Sequence, residues 1–523
     1  MLKVTADSLD WALTHIEHHG DTDIFPVPFE YKAIRHAWKN VRDYLSNVDL
    51  DTWDPRPYRR CLSPKHRYGF RVSTQLDPFD SLLFTALVYD IGPDIERARI
   101  ASKKKIVFSH RFVPDKTGRF YDPKYTYETF QERSSLLAKA ANCKYVIVAD
   151  IADFYNRLYL HPLENALSAC KAQPDHVRVL KKLLSGWNFT ISYGVPVGPA
   201  ASRLLAELAI DDVDRALQSE AVSFCRYSDD YRIFCRSKRE AHAKLAFLAN
   251  VLFENHGLTL QQSKTRVLPT RKFCERYIDI ARFNEAESLS KRFHDLMDTL
   301  GIDDPYGDID YDSLDEDDRS RVDALNLQGI LNEQLARKGS IDIQITGFVL
   351  RRLGQIDDTE CLHTIIQKVE HLYAVFPDVM HYLSALRSLD TASKRHIGEK
   401  LLALLHKTII GHLEFHRDWV FEVFTHDTGW NNEKRFASLY TKYPDEFSRR
   451  ALVLAMGRAK QVHWFKTRKR SVLSLGPWEK RAFLAAASCL PGDEAEHWYK
   501  SIKRSLSELE SAVVSWARSN PFG

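Results

Sequence analysis

The chain has 523 residues, 44% hydrophobic and 28% charged, too apolar for a disordered chain and too long for one small core. Its mean hydropathy is −0.36, and no window offers the roughly 18 uninterrupted apolar residues that a membrane span needs. The net charge of +4 conceals an asymmetry: residues 1–280 hold 41 bases against 34 acids, and residues 281–523 hold 33 against 36.

Within the first part, Arg97–Lys182 carries 17 bases and 8 acids, a surplus suited to a phosphate-rich partner. Residues 1–10 show no apolar core of a secretory signal. The eight cysteines form no CxxC pair, which argues against a zinc knuckle or a redox pair and fits a reducing cytoplasm.

Taken in chain order, His15 and His19 stand at helical spacing near the start, but no HExxH pattern and no third ligand accompanies them, so a solvated helix face is expected. Tyr145-Val146-Ile147-Val148-Ala149 is a short β-branched run ending at Asp150 and reads as a buried strand. Helices are expected over Asp175–Trp187 and Pro199–Gln218. Val222–Arg226 and Tyr231–Cys235 are two further strands at hairpin spacing, with Tyr227-Ser228-Asp229-Asp230 between them. Lys238–Asn255 reads as a helix stopped by Gly257. Alternating strands and helices predict a mixed α+β region.

The composition shifts near residue 300. Asp303–Asp318 contains nine acids and no base. Asp308, Asp310 and Asp312 imitate a calcium loop, but Ser313 replaces its glycine and Arg319 its terminal glutamate, so an acidic linker is expected. From about 320 onward the pattern is helical. Leu362, Ile365, Ile366, Val369 and Leu372 form one stripe, and Ile397, Leu401, Leu404 and Leu405 another. Prolines 377, 444, 477 and 491 punctuate an all-α, irregular helical-repeat (HEAT-like) domain without a fixed period. The expected boundaries are 1–145 for the N-terminal segment and fingers, 146–285 for the palm, 286–320 for the linker and 321–523 for the helices.

A carboxylate ending a strand, or two at a hairpin tip, is common alone. Together they are the pattern that two-metal nucleotidyl transfer needs, with carboxylates on neighbouring strands holding divalent ions about 4 Å apart. Hard oxygen ligands suit Mg²⁺.

Four segments then carry a resemblance to a known family. Ala149-Asp150-Ile151-Ala152-Asp153-Phe154-Tyr155 resembles motif A of reverse transcriptases, and Tyr227-Ser228-Asp229-Asp230 their YxDD motif C. Gly194-Val195-Pro196-Val197-Gly198-Pro199-Ala200-Ala201-Ser202 resembles motif B, and Gly257–Thr265 motif D. The order and gaps match. The resemblance covers about residues 60–280 and implies an α+β reverse-transcriptase-like palm and fingers.

It further implies that Asp150, Asp229 and Asp230 are the catalytic carboxylates. They would hold two Mg²⁺ ions, or Mn²⁺, with the backbone carbonyl of Ile151. Tyr155 matches the gate against a ribose 2′-hydroxyl, and Lys264 the proton donor to pyrophosphate. Arg71, with Lys65, matches the fingers cation that grips the incoming triphosphate; a guanidinium forks onto phosphate oxygens.

Val197 stands where the family has glutamine near the templating base. With the long helical domain, it makes the chain similar to the abortive-infection (Abi) reverse transcriptases of bacterial phage defence, most of all to the prophage-encoded kind. That resemblance implies a cytoplasmic enzyme that takes dNTPs without a template. The first nucleotide is joined to a protein hydroxyl, the single-stranded DNA stays attached, and the chain assembles as a trimer or hexamer. The 22 tyrosines single out no priming residue. Lys466, Arg468, Lys469 and Arg470, beside Trp464 and Phe465, form a candidate DNA-binding strip. A templated RNA-dependent DNA polymerase, like retron or group II intron enzymes, and a non-catalytic scaffold are the alternatives.

Overall fold

The computed structural model describes residues 1–66, 69–170, 172–188, 191–278, 316, 326–337, 341–430 and 432–522. The acidic linker therefore lies outside the described residues, Glu316 excepted. The chain packs as two units. The first takes Met1–Asp23, Leu45–Arg59 and the described part of Thr74–Asp323; the second takes Ile24–Tyr44, Arg60–Ser73 and the described part of Ala324–Gly523.

Strands β1 (Arg59–His66) and β2 (Gly69–Gln75), most of which belong to the second unit, pair as a separate two-stranded sheet; in the first unit the run predicted as a strand is β3 (Tyr145–Asp150). The predicted hairpin is β4 (Ser223–Tyr227) and β5 (Asp230–Cys235), and β6 (Arg266–Pro269) completes a sheet of order β4-β5-β3-β6. All three pairings are antiparallel. Val146, Ile147, Val148 and Ala149 are all buried, so both faces of β3 are covered. One face carries a core of Phe108, Phe130, Val146, Val148, Cys225, Phe234 and Phe273.

Among the helices of this unit, α1 (Ala6–His19) packs on α2 (Pro78–Ala98), which packs on α4 (Ala200–Ala209); α3 (Tyr127–Ala138) and α6 (Lys238–His256) pack on the sheet, and α5 (Asp211–Ser219) follows α4 and contacts α6. The single helix expected over Pro199–Gln218 is thus two. The break falls at Ile210 (φ −108°, ψ 13°), and Asp211 is drawn off to accept the backbone N–H of Ile100 at 2.8 Å. Helix α6 stops as predicted, with Gly257 left-handed at φ 63°.

In the second unit alternate helices stack in series: α7 (Ile343–Gln355), α8 (Phe376–Ala385), α9 (Glu414–His426), α10 (Glu446–Arg458), α11 (Pro477–Ala486) and α12 (Glu508–Ser519), each packed on the next. Shorter helices such as Glu433–Lys442 and Gly492–Ile502 connect them. The Leu362–Leu372 stripe is not one helix, because Leu362–Gln367 ends at Lys368; Ile365, Val369 and Leu372 are nevertheless buried. The early segment joins this unit. Helix Glu30–His36 packs on α12, Phe25 meets Phe415, and the fully buried Glu30 pairs with Arg450 at 2.5 Å and Arg481 at 2.9 Å.

Candidate active site

Strand register does the first part of the assembly. Asp150 is the antiparallel partner of Asp230, and Tyr227 pairs with Asp230 across the hairpin, leaving Ser228 and Asp229 as a two-residue turn. Such turns need positive φ, and Ser228 takes it at 51°. The Ile151 N–H donates to the Asp229 carbonyl at 3.1 Å, fixing the turn against the end of β3.

The chain after Gly257 is stitched onto the same strand end. The Ala152 N–H donates to the Thr259 carbonyl at 2.9 Å and the Gln261 N–H to the Asp150 carbonyl at 2.7 Å. The next turn brings in Lys264, whose Nζ donates to Asp150 Oδ2 at 2.5 Å. Burial, with the charges of Asp229 and Asp150, pushes the Asp230 carboxyl up to about 7, against the pull of Arg232 and Lys264. Burial disfavours the Lys264 charge, but the hydrogen bond and charge of Asp150 outweigh it and hold the ammonium above its ordinary value.

Beneath the turn lies an ion network that the sequence did not disclose. Ser228 is held from both sides: its N–H donates to Ser109 Oγ at 2.8 Å, and its carbonyl accepts Arg226 Nη1 at 2.8 Å. Arg226, itself fully buried, pairs with Asp214 at 2.6 Å and Glu207 at 3.0 Å. Glu207 also takes Arg99 at 2.8 Å and the Ser109 hydroxyl at 2.5 Å. Helices α4 and α5 thus anchor the carboxylate turn through buried charge. The one available signal was an acid, Glu207, set among Leu204, Leu205, Ala206, Leu208 and Ala209.

Tyr155 lies in the short helix Phe154–Arg157, and its hydroxyl is 3.3 Å from Ser228 Oγ. Burial pushes its phenol well above the ordinary value, although Arg203 works the other way. The Tyr155 carbonyl accepts the Val195 N–H at 2.9 Å, joining motif A to motif B. The Val197 carbonyl accepts the Thr74 N–H at 2.9 Å, and Gly198 at φ 135° leaves a Cβ no room, 2.9 Å from Thr22.

The remaining expected residues belong to other elements. Arg71 and Lys65 are on the β1–β2 hairpin, in the part assigned to the second unit, where Arg71 Nε donates to Ser63 Oγ at 3.3 Å. Lys466 and Lys469 both pair with Glu494, at 2.9 and 2.6 Å, and Arg468 lies 4.6 Å from the Trp464 ring, so the basic strip is partly neutralised. His15 is buried against the Gly118 carbonyl at 2.7 Å; its face of α1 is not the solvated one expected.

Among the described residues, no group of three His, Cys, Asp or Glu side chains is drawn together closely enough to hold a metal ion as it stands. The donor chemistry nevertheless fits a hard divalent cation. Asp150 and Asp230 pair across neighbouring strands with Asp229 at the turn, and burial together with the charges of its two neighbours raises the Asp230 carboxyl, a crowding that a bound cation would relieve. No helix of the described residues is long and apolar enough to cross a membrane.

Residues 103–275, a third of the chain, match the family model described as reverse transcriptase (RNA-dependent DNA polymerase). No curated protein matches. Among solved structures the chain is similar to apo telomerase from Candida tropicalis, with 12% identity over 75% of this chain and 73% of that one, at a TM-score of 0.33. It is also similar to telomerase from Candida albicans in complex with a fragment of telomeric RNA, with 12% identity over 79% and 71%, at 0.31. Likeness at these scores carries no argument about function. Over the matched segment the chain is a reverse-transcriptase-like nucleotidyltransferase.

Proposed function

We propose that this reverse-transcriptase-like nucleotidyltransferase is a DNA polymerase of bacterial phage defence, using Mg²⁺, priming on one of its own tyrosine hydroxyls and needing no template. The observation that carries the polymerase reading is the register that sets Asp150 opposite Asp230, with Asp229 at the turn and Lys264 on Asp150. The defence reading rests on the motif resemblance, above all on Val197 in place of glutamine. A HEAT-like helical domain and assembly into a trimer or hexamer belong to the same reading.

In this reading a hydroxyl oxygen attacks the α-phosphorus of a dNTP, the new O–P bond forms, and the bond to pyrophosphate breaks. Asp150, Asp229 and the Ile151 carbonyl would hold the metal pair, with Asp230 in support; bound metal lowers the pKa of the attacking hydroxyl and neutralises the leaving group. Lys264 stands with a proton beside these carboxylates and delivers it to pyrophosphate. Tyr155, buttressed by Ser228, crowds the sugar C2′, and Arg71 with Lys65 takes the triphosphate.

The test is to incubate purified protein with Mg²⁺ and labelled dNTPs, without nucleic acid, and to run a denaturing protein gel. Label on the protein is expected. Incorporation only with an RNA template would establish the second reading, a templated enzyme, which the description of the matched family favours. No incorporation under either condition would leave a scaffold.

A further inference from the structure

After Tyr155 the short helix Phe154–Arg157 ends, and a single antiparallel bridge at Tyr159 precedes the next helix, Leu160–Ala169. Leu158 and Leu160 are buried, at 0% and 4% exposure. Tyr159 between them turns outward and is 45% exposed. It is the antiparallel partner of Tyr193, just before motif B, and the pair is flanked by two backbone bonds: Gly194 N–H to the Leu158 carbonyl at 2.7 Å, and Leu160 N–H to the Ser192 carbonyl at 3.1 Å. The two rings stand 5.7 Å apart on one face. Arg157 lies 5.6 Å from the Tyr193 ring, is exposed, and has no acidic partner among the described residues.

Two tyrosine rings and an exposed guanidinium resting over one of them, held together on a short bridged ribbon, are parts that bind a single nucleic-acid strand. Every base has a face to stack, and the cation takes a phosphate. We propose that Arg157, Tyr159 and Tyr193 form a stacking platform for single-stranded DNA. The ribbon is continuous with Tyr155, whose carbonyl bonds to Val195, so the platform is fixed to the same frame as the carboxylate turn. A protein partner would more often find an extended apolar patch; here the neighbours Ser192 and His161 are polar and exposed, beside the exposed Ile191. The proposal rests on the first unit acting as a polymerase, but not on how synthesis is primed.

The test is fluorescence anisotropy of a labelled 20-residue oligothymidylate with the full-length protein, without nucleotides, so that binding is read apart from synthesis. Replacing both tyrosines, Tyr159→Ala with Tyr193→Ala, should weaken binding roughly 10- to 100-fold, whereas the double Phe variant should bind within about twofold of wild type. Arg157→Gln should lower the slope of log affinity against log salt by about 0.7, one phosphate contact. Thermal melting of each variant separates unfolding from loss of the platform. Wild-type affinity in the folded double Ala variant would overturn the proposal, as would a double Phe variant as weak as the Ala one. An oligouridylate held more tightly than the DNA would reassign the platform to RNA and overturn it equally.

Discussion

The two units handle buried charge in opposite ways. In the helical unit, Glu30 sits between Arg450 and Arg481, and burial that would raise its pKa is outweighed by the two guanidinium groups, which hold it below the ordinary carboxylate range. In the polymerase unit, the network beneath the hairpin is balanced, but the carboxylates on top of it crowd one another: three acids face Lys264 and Arg232, and burial with its acidic neighbours pushes Asp230 up to about 7. Balanced charge holds structure together, whereas crowded carboxylates at a turn invite a cation.

The sharpest way to break the contrast is to remove crowded charge. Asp229→Asn keeps the side-chain shape, and nucleotide incorporation should fall by about a thousandfold or more while the melting temperature holds or rises. Near-normal incorporation by a folded Asp229→Asn protein would remove the site assignment.

Removing balanced charge should do the reverse. Glu30→Gln leaves two buried guanidinium groups uncompensated and should destabilise the helical unit by about 3 kcal/mol, read by denaturant unfolding. A change under about 0.5 kcal/mol would mean that the pair is held by its surroundings instead.

Acidity separates the units by sign. Between about 4 and 7 the folded polymerase unit keeps a proton on Asp230 that an unfolded chain, with its ordinary value of 3.8, has lost. Its metal-free stability should therefore fall as pH rises through that window. Glu30 works the other way: its contribution is complete above the ordinary 4.5 and is lost as pH drops through its depressed folded value. Mg²⁺ should consequently raise the melting temperature more at pH 8 than at pH 5.5, and equal shifts at both would refute the link to Asp230.

The smallest effect concerns the basic strip. Glu494 already neutralises part of the charge of Lys466 and Lys469. Replacing Lys466, Arg468, Lys469 and Arg470 by Gln should thus change retention of product DNA by only about two- to threefold at ordinary salt. A loss of tenfold or more would make the strip a principal DNA contact.

How much could be read from the sequence depends on how local each arrangement is. Asp150 and the Ser228-Asp229 turn were legible because a β-branched run and hairpin spacing fix strands, and antiparallel register does the rest. Gly257 was legible as a stop because only a left-handed cap is needed there. Ser109, Glu207 and Arg226 were not, because their bonds join separate elements with no common spacing. The break at Ile210 was missed because a contact with Ile100, 111 residues from Asp211, sets it against good local helix signals. The pairing of Lys466 and Lys469 with Glu494 was not legible, because Glu494, 25 residues beyond Lys469, is invisible to a local reading of charge.

The route of the chain also sets a timetable for its making. By Thr74 it has crossed between the two units four times. Glu30 leaves the ribosome 420 residues before its partner Arg450. At about 5–20 residues per second, this leaves the segment around Phe25, Phe29 and Tyr31 without its permanent neighbours for roughly 20–80 s of synthesis. A nascent chain of this design carries an apolar stretch around Phe25 and Phe29 exposed until the helices of Phe415 and Trp516 emerge to cover it.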